Sequence, residues 1–281
     1  MINIRKLAFI GGGNMAAALI GGLIKRGLPA DHIVVADPSA AQRQRLADEH
    51  GVATAADNAA AAVGAEVLVL AVKPQQMRSV ALALSPHLRG EQVLGEHPLI
   101  ISVAAGIPHA ALARWFGASL PVVRTMPNRP ALNGFGATGL YAPDSVGAAS
   151  RALAESIMAA VSATVWVDHE SQMDTVTALS GSGPAYFFLF MEALEAAAHE
   201  RGLPVEVAHR LTLETAFGAA EMARRSQESL AALREQVTSK GGTTAAALAV
   251  LDAAGLRSIV GHAVAAADRR SAELAAEYGA G

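Results

Sequence analysis

Apolar positions fall into two different rhythms along the chain. In the first half, short and mostly apolar blocks recur at Leu7–Ile10, Ile33–Ala36, Val67–Ala71, Leu99–Val103 and Val122–Met126. Each is followed by a polar or small-residue stretch, and the first then runs into a segment that sets Leu19 with Leu23 and Ile20 with Ile24 at helical spacing. Nearly uninterrupted apolar blocks of this length are what strands buried on both faces of a parallel sheet require. Val52–Thr54, Gly136–Ala142 and Thr164–Val167 are further strand candidates, with helices over Ala40–His50 and near Ser145–Val161. The repeated strand-then-helix alternation predicts an α/β fold with a doubly wound parallel sheet.

Past Asp168 the rhythm changes, because no convincing strand remains. Helical segments rich in Ala, Leu, Glu and Arg follow one another over roughly 170–181, 184–200, 204–225, 229–238, 244–254 and 257–277. Gly202-Leu203-Pro204 and Gly255 punctuate them. The expected organisation is therefore a sheet domain over 1–167 and an all-helical domain over 168–281, with no repeat period and no low-complexity linker. A run such as Phe187-Phe188-Leu189-Phe190-Met191 is too apolar for a solvated helix, and points to burial against another subunit.

The first block feeds Gly11-Gly12-Gly13-Asn14-Met15-Ala16. Strand, tight turn and helix in this order make a G-x-G-x-x-A pattern of Gly11, Gly13 and Ala16. Gly11 permits the turn, Gly13 admits a pyrophosphate to the backbone, and Ala16 allows close helix–strand packing. The helix N-terminus adds free N–H groups and partial positive charge. A purely structural turn would use the same glycines, and only the context favours a dinucleotide. Asp37 lies about twenty residues on, where an acidic residue bonds the ribose of NAD. Ser39, Arg43 and Arg45 stand nearby and suit a 2′-phosphate, although arginines there also fit a solvated helix face. Asn58 and Lys73 sit at strand ends facing the same crevice; a surface lysine is the bland alternative for the latter.

Composition narrows the classes. The 281 residues are 52% hydrophobic, 4% aromatic and 17% charged, so the core is built from Ala, Leu and Val. A net charge of −3 gives no basic field for nucleic acid or an anionic membrane, and any anion site must be local. The absence of cysteine excludes disulfides, thiolate catalysis and Cys-based metal sites; no metal site is expected. The first strand begins within a few residues of Met1 and no apolar run reaches membrane-spanning length, so a soluble cytoplasmic protein is expected.

Two stretches in the helical half carry further chemistry. Ser180-Gly181-Ser182-Gly183-Pro184-Ala185-Tyr186 either kinks two helices for close approach or turns helix backbone toward a cofactor. Ser239-Lys240-Gly241-Gly242-Thr243-Thr244 precedes a helix that a threonine would cap, and its clustered N–H groups suit a carboxylate; an ordinary capped helix is the alternative.

Taken with Ala71-Val72-Lys73-Pro74, Ser102–Gly106, Arg124-Thr125-Met126-Pro127-Asn128 and Thr177–Tyr186, these motifs run in family order over nearly the whole chain, which resembles the pyrroline-5-carboxylate reductases. The resemblance implies an N-terminal Rossmann-type sheet and an all-helical C-terminal dimerisation domain, with a homodimer formed through those helices and a higher homo-oligomer compatible with it. It implies NADPH/NADP as cofactor, NADH/NAD being the alternative. The implied cofactor contacts are Ile10, Gly11, Gly12, Gly13, Asn14, Met15, Asp37, Ser39, Asn58, Ala71, Val72, Lys73, Pro74, Ala104, Ala105, Gly106, Met126, Pro127 and Asn128. Gly241, Gly242, Thr243 and Thr244 would bind the substrate carboxylate, and Thr244 is the implied catalytic contact to the imine nitrogen. Lys240 stands where the family usually has proline, which removes a backbone restraint from the loop. Two other readings compete. A β-hydroxyacid dehydrogenase would need a lysine where this chain has Phe187, and a non-catalytic NADP(H)-sensing subunit would have no use for the Gly241–Thr244 turn.

Overall fold

The computed structural model describes residues 4–88, 97–117 and 120–279. Among them, eight strands form one sheet: β1 (Leu7–Ile10), β2 (Ile33–Ala36), β3 (Ala53–Ala55), β4 (Val67–Leu70), β5 (Leu99–Ser102), β6 (Val122–Met126), β7 (Gly136–Tyr141) and β8 (Ser162–Trp166). Their spatial order is β3-β2-β1-β4-β5-β6-β7-β8. The helices between strands are α1 (Asn14–Lys25), α2 (Ala40–His50), α3 (Asn58–Ala62), α4 (Pro74–Leu84), α5 (His109–Phe116) and α6 (Ala148–Met158). After β8 come α7 (Gln172–Val176), a π-turn over Thr177–Gly181, α8 (Gly183–Glu200), α9 (Val205–Arg225), α10 (Leu230–Gln236), α11 (Thr243–Ala253) and α12 (Leu256–Gly279).

The α/β expectation is met, and the central strands explain why their sequence is so apolar. β1, β4 and β5 are buried at every position. Alternate residues feed opposite faces: Leu7, Phe9, Val67 and Val69 join Leu19, Ile20, Leu23 and Ile157 on one side. Ala8, Ile10, Leu68 and Leu70 join Met77, Ala81, Leu112 and Phe116 on the other. Helices cover both faces, so the central strands are almost wholly apolar, and Ser102 at the end of β5 is the polar exception among these three.

One pairing departs from an all-parallel sheet. β6 and β7 run antiparallel, with Arg124 opposite Tyr141 and Met126 opposite Gly139. The segment joining them holds only the short 3-10 turn Arg129–Asn133, and a parallel return needs a longer crossover. β7 and β8 are parallel again because α6 supplies that crossover.

By compactness the chain divides into Met1–Ser182 with Ala266–Gly281, and Gly183–Ala265. The end of α12 therefore belongs with the sheet. Ser271 Oγ donates to Asp174 Oδ1 at 2.7 Å, Thr175 Oγ1 donates to Asp268 Oδ1 at 2.7 Å, and Arg114 Nη2 donates to the Gly279 carbonyl at 2.9 Å. Within the helical unit α8 packs on α9, and His209 Nδ1 lies 2.8 Å from Glu195 Oε1. Burial is scarce there: α8 buries only Gly183, α9 only Ala208 and Thr212, and α10 and α11 nothing. Among the described residues no single helix is long and apolar enough to cross a membrane.

Candidate functional site

The strand order reverses at β1, which lies between β2 and β4, so the crevice for a ligand opens beyond the carboxyl ends of β1 and β4. The turn after β1 is built for close approach. Gly11 has φ +96°, its N–H donates to the Ala36 carbonyl at 2.8 Å, and an added Cβ would come 2.6 Å from the Ala71 carbonyl oxygen. Only glycine fits there. Gly13 caps α1 in an extended conformation with no capping side chain, and nothing stands within 4 Å of where its Cβ would be. Ala16 is fully buried against the sheet. The first turn of α1 thus presents N–H groups to an open face, which is the arrangement a pyrophosphate needs.

Asp37 serves this turn directly. Its Oδ2 accepts from the Gly12 N–H at 2.9 Å and its Oδ1 from the Ser39 N–H at 2.8 Å. Gln42 Nε2 donates to the Gly12 carbonyl, so the Gly12 peptide is gripped on both sides. Ser39 caps α2 through the Gln42 N–H. Arg43 Nη1 donates to the carbonyls of Asp37 and Pro38 at 2.7 and 3.1 Å, bracing the end of β2. Arg45 Nε and Nη2 are shielded from solvent, which a simple solvated face does not explain.

The other strand ends carry the remaining candidates. Asn58 opens α3, whose cap is Asp57 accepting from the Ala60 N–H at 2.8 Å. Lys73 is exposed at the N-cap of α4, with Pro74 as the first helical residue. Ala104 and Gly106 are buried and Ala105 half-buried in the turn after β5. Beyond β6, Asn128 is a clasp: its Nδ2 donates to the Ser180 carbonyl and its Oδ1 accepts from the Ala137 N–H, both at 2.9 Å. Met126 reaches the π-turn, where a Cβ on Gly181 would come 2.6 Å from Met126 Cε. Within Ser180–Gly183 the close approach is at Gly181, whereas nothing stands within 4 Å of a Cβ on Gly183. Three polar groups below this edge had no sequence signal as a set. Glu170 Oε1 accepts from Arg124 Nη1 at 2.9 Å and from the His109 N–H at 2.5 Å. Burial, the leading cause, pushes the His109 imidazole below its ordinary pKa, against the opposing pull of Glu170 and the Val122 carbonyl.

In the helical unit, Gly241 has φ +72°, and the Gly242 N–H donates to the Ser239 carbonyl at 3.0 Å. The helix start departs from the expected threonine cap. Gly242 is the N-cap of α11, in extended backbone and with no side-chain cap, while Thr243 and Thr244 occupy the first turn. Both hydroxyls are thereby left out of capping. Thr243 is exposed, Thr244 half-buried and Lys240 exposed. Among the described residues no group of three or more His, Asp or Glu side chains is arranged to hold a metal.

Residues 170–274 match the family model described as pyrroline-5-carboxylate reductase dimerisation, and residues 6–106 match the model described as NADP oxidoreductase, coenzyme F420-dependent. A pyrroline-5-carboxylate reductase from Pseudomonas aeruginosa is 51% identical over 98% of this chain and 98% of its own. The chain belongs to the pyrroline-5-carboxylate reductase family. The solved reductase from Coxiella burnetii is 43% identical, covers 97% of this chain and 99% of its own, and superposes with a TM-score of 0.91. The Plasmodium falciparum reductase, solved with NADP bound, is 29% identical over 98% of this chain and 99% of its own, with a TM-score of 0.83. As a member of this family, the chain is an oxidoreductase with a Rossmann-type sheet, and its dimerisation segment marks it as a homo-oligomer.

Proposed function

We propose that the chain reduces the C=N bond of the cyclic imine 1-pyrroline-5-carboxylate to give L-proline, with NADPH as the hydride donor. The observation that carries this reading is the likeness to a reductase of that name over 98% of both chains. The NADP recorded with the Plasmodium falciparum relative supports the phosphorylated donor.

The residues fit a dinucleotide, because Gly11 forms a cradle that a Cβ would fill and the face at Gly13 is open. Ile10, Gly11, Gly12, Gly13, Asn14 and Met15 hold the pyrophosphate in this reading. Asp37, Ser39 and Asn58 serve the adenosine side. Ala71–Pro74, Ala104–Gly106 and Met126–Asn128 line the remainder. When bound, the reduced dinucleotide supplies the hydride that adds to the C=N carbon. Asp37, whose two oxygens accept from the Gly12 and Ser39 N–H groups, is an acidic residue that opposes a 2′-phosphate, so the comparison of NADPH with NADH is the test of the donor. The Gly242, Thr243 and Thr244 N–H groups hold the substrate carboxylate at the start of α11, where the helix dipole favours an anion. The Thr244 hydroxyl contacts the ring nitrogen. No side chain emerges as a general acid, so an imine that arrives protonated is the electrophile, and orientation supplies most of the rate. Homodimerisation through α8–α12 belongs to the same reading, as does a cytoplasmic location, which cell fractionation tests.

Mixing the protein with the imine and either NADPH or NADH, and following absorbance of the reduced cofactor, tests the proposal. Oxidation with a higher kcat/KM for NADPH is the expected result. Binding of NADPH without oxidation would favour a sensor, and a preference for NADH would overturn the donor assignment. Thr244→Ala is expected to lower kcat/KM for the imine about 10- to 100-fold, the loss of one hydrogen bond to a charged group. An unchanged value removes that hydroxyl from the mechanism.

A further inference from the structure

The last turn of α12 reaches back to two of the turns that border the crevice. Gln75 Nε2 donates to the Tyr278 hydroxyl at 2.8 Å, across 203 positions of sequence. Gln75 is the second residue of α4 and follows Lys73 and Pro74 directly. The Tyr278 ring also meets the turn after β5. At Gly106, where φ is +70°, an added Cβ would come 3.4 Å from both Tyr278 Cδ2 and Leu274 Cβ. Tyr278 packs on the core cluster that contains Ala104, Ile107 and Met77. Its neighbour is tied down as well: the Gly279 carbonyl accepts from Arg114 Nη2, and a Cβ on Gly279 would come 2.9 Å from Pro108 Cγ.

One aromatic side chain thus touches the helix that begins at Lys73-Pro74 and the turn that ends at Gly106. The Ala104–Gly106 turn carries only small side chains, and Lys73 is exposed at a helix start that no side chain caps, so the order of both turns depends on what abuts them. We propose that Tyr278 is a positioning residue for the dinucleotide: with Leu274 it braces the Lys73–Gln75 and Ala104–Gly106 turns in the conformation that receives the cofactor. This rests on the reading of those two turns as cofactor contacts. A brace of this kind lowers the ordering required on binding and touches no reacting atom. Its loss weakens cofactor binding and leaves the chemical step alone.

The test compares the full-length enzyme with Tyr278→Phe, Gln75→Ala and the double variant. The readouts are KM for NADPH, KM for the imine, kcat, Tm and NADPH binding by fluorescence. Tyr278→Phe keeps the ring and removes only the acceptor. The expected result is a rise in KM and Kd for NADPH of about three- to tenfold in each single variant, the effect of one neutral hydrogen bond. The double variant should be no worse than either single one. The kcat, KM for the imine and Tm stay at their wild-type values. An unchanged KM for NADPH in Tyr278→Phe overturns the proposal. So do effects of the two changes that add, or a fall in kcat that tracks a fall in Tm, which marks a purely structural contact. If the wild-type protein itself fails to bind NADPH, the functional reading is what has failed. Amide exchange then judges the brace: faster exchange at residues 74–77 and 104–106 in Tyr278→Phe supports it, and unchanged exchange overturns it.

Discussion

α1 and α8 are both strongly apolar helices, and they meet opposite surroundings. In α1 the residues Ala16, Leu19, Ile20 and Leu23 are fully buried against the sheet. In α8, Phe187, Phe188 and Leu189 are 70%, 64% and 68% exposed in the single chain. The difference lies in how each helix distributes its side chains. α1 gathers its large residues on one stripe and leaves Gly and Ala elsewhere, so a single sheet satisfies it. α8 carries large apolar residues all round, and no one neighbour covers every face. Phe217 on α9, Val250 on α11 and Ile259 on α12 are exposed in the same way. A fully covered side chain of this size contributes roughly 1.5–3 kcal/mol. Such a surface is stable in water when a second copy covers it. One region covers its large apolar residues within the chain, and the other leaves them exposed in it.

The sharpest way to break this comparison is to place a charge on the second surface. Phe217→Asp is expected to dissociate the oligomer, so that light scattering gives the mass of one chain and activity falls by about tenfold or more; an unchanged mass would remove α9 from the interface. Next in size, Ile20→Ala empties a site packed on all sides and is expected to reduce unfolding free energy by about 2–5 kcal/mol. Its midpoint in denaturant should be independent of protein concentration, whereas Leu189→Ala should shift the midpoint only in a concentration-dependent way.

A third change concerns the turn that α1 extends from. Gly11→Ala puts a methyl group 2.6 Å from the Ala71 carbonyl oxygen at a backbone angle that L-residues avoid. It should raise KM for NADPH by about tenfold, in line with the 1–3 kcal/mol of a strained non-glycine residue, while KM for the imine holds. The smallest effect is a pH dependence inside the sheet unit. Burial holds the His109 pKa below 6.5 in the folded chain, so folding favours the neutral ring. The associated stability is present above the unfolded value of 6.5 and is lost as pH falls through the lower folded value. His109→Gln should therefore flatten the acid limb of a stability-versus-pH curve, and a curve identical to wild type would sink the assignment.

Much of this was legible in the residues because it is local. The strands lie within a couple of positions of the apolar blocks, and the glycine turn at Gly11 has the strained angle and the close approach that its spacing demands. The helix after Gly241 was legible too, but its cap was not. Threonine and glycine are comparable capping residues, so residue type did not decide between them, and Gly242 holds the position in extended backbone after the positive φ at Gly241. Asn128 reads in sequence as a crevice residue. In the fold its amide ties Ser180 to Ala137, and nothing within hydrogen-bonding range in sequence announces that.

What the sequence determined by itself is the strands, the glycine turn and the long helices, since these depend on residues within one turn of helix or one stretch of strand. The tertiary structure decided the reversed direction of β7, the clasp at Asn128, the Arg124–Glu170–His109 set and the return of Tyr278 to Gln75. The last two join residues 46 to 203 positions apart. Such partners are chosen by which surfaces remain uncovered once the sheet and its helices have packed, and no short window of residues records that choice.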